Sequence, residues 1–101
     1  MTIYDIIGNL RMFVNCNKGA EPCNLYMSRD TFDSICSIFQ AASNALYPYD
    51  LGRSSGGSSG ASIYGCAVVF KEDMLFGAVG IGNEDGMKKT NFVGDLLEGD
   101  K

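Results

Sequence analysis

The run Ile63 to Phe70, IYGCAVVF, constrains the fold more than any other segment of the chain. Its β-branched and aromatic residues read as a strand, with Ile63, Gly65, Ala67 and Val69 on one face and Tyr64, Cys66, Val68 and Phe70 on the other. Both faces are largely apolar, so the strand belongs in the middle of a sheet. The remaining segments must supply its neighbours and a covering layer.

Two stretches have helical periodicity. Ile3, Ile6, Ile7, Leu10 and Phe13 recur on one face, and Thr2 with Asp5 resembles a capping box, which predicts a helix from about Ile3 to Val14. Asn15 to Pro22 holds Asn, Gly and Pro and reads as a loop. A second helix is predicted over Arg29 to Leu46. Ser28 caps it, Asp30 favours its dipole, Phe32, Ile35, Cys36, Phe39, Ala42 and Leu46 trace one face, and Pro48 ends it.

Between the helices, Asn24 to Met27 suits a brief buried strand. Leu75 to Ile81 reads as another, with Gly77 and Gly80 weakening it or permitting close approach. It is expected to pair with Ile63 to Phe70 as a hairpin across the charged turn Lys71, Glu72 and Asp73. From Gly82 on, NEDG and MKKT read as loop. Phe92, Val93, Leu96 and Leu97 could dock a last helical turn, and the tail frays after residue 98. Residues 50–62, DLGRSSGGSSGAS, read as an exposed, mobile Gly/Ser loop. The expected fold is a single α+β domain over residues 1–101, with two helices packed on one face of a small, mainly antiparallel sheet of three or four strands.

Twelve acidic and eight basic side chains give a net charge of −4. Apart from Lys88 and Lys89 the basic residues are scattered, so direct binding of DNA or RNA is not expected. No apolar run approaches the roughly twenty residues needed to span a bilayer, so no membrane role is expected. An acidic chain could instead meet a basic surface on another protein, where charge speeds encounter.

Histidine is absent, which removes the commonest general base and the commonest transition-metal ligand. Cys16, Cys23, Cys36 and Cys66 form no C-x-x-C pair, and none has an immediately adjacent Lys or Arg to activate it. With neither the basic nor the apolar region of a signal peptide at the N-terminus, the reading is a reducing cytosol with free thiols and no disulfides. A Cys16–Cys23 bridge is disfavoured on those grounds, and Cys36 and Cys66 fall on faces expected to be buried. The pairs Glu72/Asp73 and Glu84/Asp85 sit in turns and lack the ligand pattern of a calcium loop. The Gly/Ser loop lacks the phosphate-loop pattern. The expectation is therefore a binder rather than an enzyme, with no metal and no cofactor. Candidate binding residues are Tyr47, Tyr49, Asp50, Arg53, Tyr64, Glu72 and Asp73, a set of tyrosines and charges around the Gly/Ser loop and the charged turn.

The segments NLYMSRDTFDSI (24–35) and SIYGCAVVFKED (62–73) occur in an order that resembles the central α+β region of the phage major capsid protein fold. In that family a strand enters a Met-Ser/Asn-x-x-aromatic helix start, and a strand of the type hydrophobic-x-Gly-x-Pro-Val-Val follows after a loop. The resemblance covers residues 3 to 81, with Ala67 standing where the family has Pro. It implies a small phage-encoded protein that shares the core without the long arm, spine helix and extended hairpin of a shell subunit. The functions that follow are an accessory virion or assembly component that docks on virion proteins, or an acidic inhibitor of a host enzyme such as a defence nuclease. Sequestration of a small nucleotide ranks third. Gly77 and Gly80 fit either an edge strand used for homo-oligomer pairing or a packing accommodation.

Overall fold

A computed structural model of the chain describes residues 3–17, 19, 23–41, 51–53, 60–83 and 85–93. Helices α1 (Ile3–Asn17) and α2 (Arg29–Ala41) accompany six strands, β1 (Asn24–Met27), β2 (Leu51–Arg53), β3 (Ala61–Ile63), β4 (Cys66–Phe70), β5 (Ala78–Asn83) and β6 (Gly86–Phe92). The strands form one sheet in the order β2-β3-β4-β1-β5-β6. Only β1 and β4 pair in parallel, and the other neighbours are antiparallel. The expected α+β class and mainly antiparallel sheet hold, with more strands than the three or four expected.

Strand alternation explains the layering. Leu25 lies opposite Val68 on one side and Ile81 on the other, which puts all three on the same face. Met27, Cys66 and Val79 share that face. They form one buried cluster with Ile7, Leu10 and Val14 of α1 and Ile35 and Phe39 of α2. Each fully buried aliphatic side chain contributes about 1.5–3 kcal/mol, so this cluster holds the helices on the sheet. The opposite face carries Asn24, Tyr26, Ala67, Val69, Ala78, Gly80 and Gly82, mostly small or polar residues. Tyr26 is half-buried, and its hydroxyl donates to the Asn83 carbonyl at 2.8 Å.

Several local expectations are corrected. The run 63–70 is two strands, because Tyr64 and Gly65 both take positive φ (50° and 83°) and close a tight hairpin between β3 and β4. β4 and β5 do not pair with each other, since β1 lies between them. Leu75 and Phe76 belong to the connecting loop, and β5 begins at Ala78. The segment read as loop after Gly82 contains β6, which pairs with β5 from Ala78↔Phe92 to Asn83↔Gly86. Phe92 ends that strand, and Val93 is buried beside the core. Leu51–Arg53, inside the expected mobile loop, pairs with Ala61–Ile63 as β2. α1 continues to Asn17, three residues beyond its expected end at Val14. The C-terminal part of the second expected helix, Pro48, and Leu96 and Leu97 lie outside the described residues.

The cysteine expectation is overturned. Cys23 and Cys66 form a disulfide that closes a sequence separation of 43, with their Cα atoms 4.9 Å apart. Parallel pairing causes it: Asn24 lies opposite Ala67, so the preceding residues meet. Both are buried. A wholly reduced chain without disulfides is therefore not what this fold contains. Cys16 and Cys36 are free, the first exposed and the second half-buried rather than fully buried. Among the described residues no helix is long and apolar enough to cross a membrane.

Candidate functional site

Among the described residues, several large exposed apolar side chains lie on β6 and the β4–β5 loop. Leu75 is 75 % exposed, Phe76 37 %, Phe92 54 % and Met87 37 %, and Met12 on α1 is a fifth, at 69 %. Chain geometry gathers Leu75, Phe76 and Phe92. Phe92 is the register partner of Ala78, and the Val93 amide donates to the Gly77 carbonyl at 2.7 Å. The β4–β5 loop and the end of β6 thus form a single apolar corner. Exposed apolar side chains gathered on neighbouring segments mark an interaction site more often than isolated ones do.

The loop that carries the corner is tied down at several points. The Lys71 amide donates to the Met27 carbonyl at 2.8 Å, and the Ala78 amide to the Leu75 carbonyl at 3.0 Å. At the start of α2, Ser28 Oγ accepts from the Thr31 amide at 3.3 Å and lies 2.9 Å from Thr31 Oγ1. Thr31 Oγ1 in turn accepts from the Gly77 amide at 2.9 Å. The same cap that starts the helix therefore anchors the loop. Gly77 has φ 87°, a backbone conformation that side-chain-bearing residues rarely adopt, which lets the loop turn into β5. Nearby, Phe70 packs edge-on against Phe32 with ring centroids 5.5 Å apart, and the Arg29 guanidinium carbon lies 4.4 Å from the Phe70 centroid. Rigid presentation of this sort lowers the ordering cost of binding.

Among the described residues, the candidates chosen from the sequence are not brought together. Glu72 and Asp73 are exposed in the β4–β5 loop, the same loop as Leu75 and Phe76, and Asp73 pairs with Lys71 at 3.7 Å. An exposed pair of this kind adds little stability. Tyr64, expected at the surface, is fully buried. Its ring packs edge-on against Phe39 at 5.9 Å between centroids, and the Arg11 guanidinium carbon sits 5.7 Å from the ring. It lies at the opposite end of β4 from Glu72 and Asp73, roughly 16 Å away along a five-residue strand. Arg53 falls on β2 at the far edge of the sheet. Tyr47, Tyr49 and Asp50 lie outside the described residues.

The corner itself was missed because Leu75 and Phe76 read as core strand residues. Their flanking glycines and the charged run before them were the available signal. Among the described residues, no group of three or more Asp, Glu, Cys or His side chains is placed to hold a metal ion. Cys36 has its thiol pKa raised, first by burial and then by the Asp33 carboxylate, so at neutral pH it is a protonated thiol. Comparison of the chain with known protein families, with curated proteins and with solved structures finds no match in any of the three.

Proposed function

We propose that this chain is a non-enzymatic, phage-encoded docking protein, an accessory component of a virion or of its assembly, which binds another protein through the Leu75, Phe76 and Phe92 corner. The observation that carries the reading is the exposure of these three large apolar side chains on a loop fastened to α2 and β6 by hydrogen bonds. A free monomer gains nothing from holding such residues in water. A partner that covers them recovers their burial, and aromatic anchors of this type dominate interface energetics.

The phage setting rests on the order of the two motifs at 24–35 and 62–73, which falls on β1 with α2 and on β3 with β4. The net charge of −4 and the absence of histidine support a binder over a catalyst. Inhibition of a host enzyme by the same corner is the competing use.

Mass spectrometry of purified particles tests the reading. The protein is expected in particles, and a Phe76→Ser/Phe92→Ser double variant that keeps its circular dichroism spectrum is expected to be lost from them. Absence of the parent protein from particles, together with co-purification of a single host enzyme, would move the assignment to the inhibitor. Unchanged incorporation of the double variant would remove the corner from the account.

A further inference from the structure

Strand β6 is a long edge of the sheet, and its outer side has no neighbouring strand among the described residues. Lys88, Lys89 and Thr90 are exposed along it, flanked by the partly exposed Met87 and Phe92. Between Gly86 and Phe92 there is no acidic residue, and neither lysine forms an ion pair with a described residue. The edge is held in place rather than frayed: Asn91 Nδ2 donates to Asn9 Oδ1 of α1 at 3.1 Å, and six of its seven residues have register partners on β5, Lys88 being the extra residue at the irregularity between Ile81 and Gly82.

We infer that β6 accepts an extended acidic segment of a partner protein as a seventh strand, its carboxylates beside Lys88 and Lys89 and its apolar side chains against Met87 and Phe92. The inference rests on the docking reading above and names the chemistry of the partner. An unpaired edge offers a row of backbone donors and acceptors that an extended peptide satisfies, while alternate side chains supply selectivity. The two lysines act in both directions. Like charges set opposite each other disfavour edge-to-edge pairing of two copies of this chain, and the same charges attract a strand bearing glutamate or aspartate. Continuity with the corner adds to the argument, since Phe92 belongs to both surfaces. A segment lying on β6 would pass Phe92, which is one of the three side chains of the corner.

The test uses the full chain, isotope-labelled for NMR, titrated with a short synthetic peptide alternating valine with glutamate and with its valine–lysine counterpart. The glutamate peptide is expected to shift the amides of residues 86–92 and to slow their hydrogen exchange, and the lysine peptide to leave them unchanged. A Lys88→Glu/Lys89→Glu variant is expected to weaken the glutamate peptide by about tenfold, with the milder Lys88→Gln/Lys89→Gln variant showing an intermediate loss. Equal response to both peptides, no response to either, or shifts centred away from β6 would overturn the inference. So would shifts in residues 86–92 that grow with protein concentration alone, which would make a second copy the occupant. Phe76 lies outside β6, so loss of particle incorporation in a Phe76→Ser single variant with intact peptide binding separates failure of the strand from failure of the corner.

Discussion

The Gly77 amide donates a 2.9 Å hydrogen bond to Thr31 Oγ1 across 46 residues of sequence. That bond joins the first turn of α2 to the loop that presents Leu75 and Phe76. Both partners are buried, so removing one leaves the other without water to replace it.

Replacing Thr31 by valine keeps the shape and deletes the acceptor. The Thr31→Val variant is expected to lose about 2 kcal/mol in urea denaturation and to exchange the Gly77 amide faster, whereas Thr31→Ser retains most of both. Unchanged Gly77 exchange in Thr31→Val would show that the bond does not hold the loop.

The Cys23–Cys66 bridge closes a long segment, and the chain-entropy estimate for a loop of that size is about 4 kcal/mol. Such a loss is a large share of the roughly 5–15 kcal/mol that keeps a domain folded. Reduction, or a Cys23→Ala/Cys66→Ala double variant, is expected to lower the melting temperature of the oxidised protein markedly. Thiol titration of unfolded, unreduced protein should count two thiols, Cys16 and Cys36, because two of the four cysteines are in the bridge. A count of four would refute the bridge.

Much of this architecture was readable from the chain, and the exceptions have physical causes. β1 and the start of α2 fall where Pro22, the apolar NLYM run and the Ser28 cap indicated. β6 escaped notice because neither of its faces is buried, so MKKT shows no apolar alternation, although Asp85-Gly86 is a hairpin signal. The β4-β1-β5 order was invisible because pairing of distant strands leaves no local trace, and the disulfide was hidden with it. Tyr64 misled for the opposite reason. A tyrosine beside a Gly/Ser loop reads as a surface residue, yet this one sits at a tight turn and its ring packs against Phe39 of α2. The docking corner required knowing that β5 begins only at Ala78.

Two glycines of β5 give a contrast. A side chain at Gly80 would meet the flexible end of Met87, whereas one at Gly82 would meet the backbone of Gly86 and Met87. Gly82→Ala is therefore expected to cost about 1–3 kcal/mol and Gly80→Ala clearly less, read by thermal or urea denaturation. Equal costs would contradict the close approach at the β5–β6 irregularity.

The raised Cys36 pKa has a defined sign. Burial, reinforced by Asp33, makes the folded protein hold this proton more tightly than the unfolded chain does. Its stabilising contribution is present below the ordinary thiol range and is lost as pH rises through the raised value. Iodoacetamide near neutral pH is expected to modify exposed Cys16 well before Cys36 in native protein, with the difference disappearing on unfolding. Equal native rates, read by peptide mass spectrometry, would contradict this assignment.

The central claim is that the apolar corner is a docking surface. Its most direct measurement places a photoreactive phenylalanine analogue at position 76, and in a second protein at position 12, where Met12 is 69 % exposed on α1, an element that contributes no side chain to the corner. On irradiation in infected cells, position 76 is expected to give one discrete crosslinked protein and position 12 none. A crosslinking pattern at position 76 no different from that at position 12 would contradict the account.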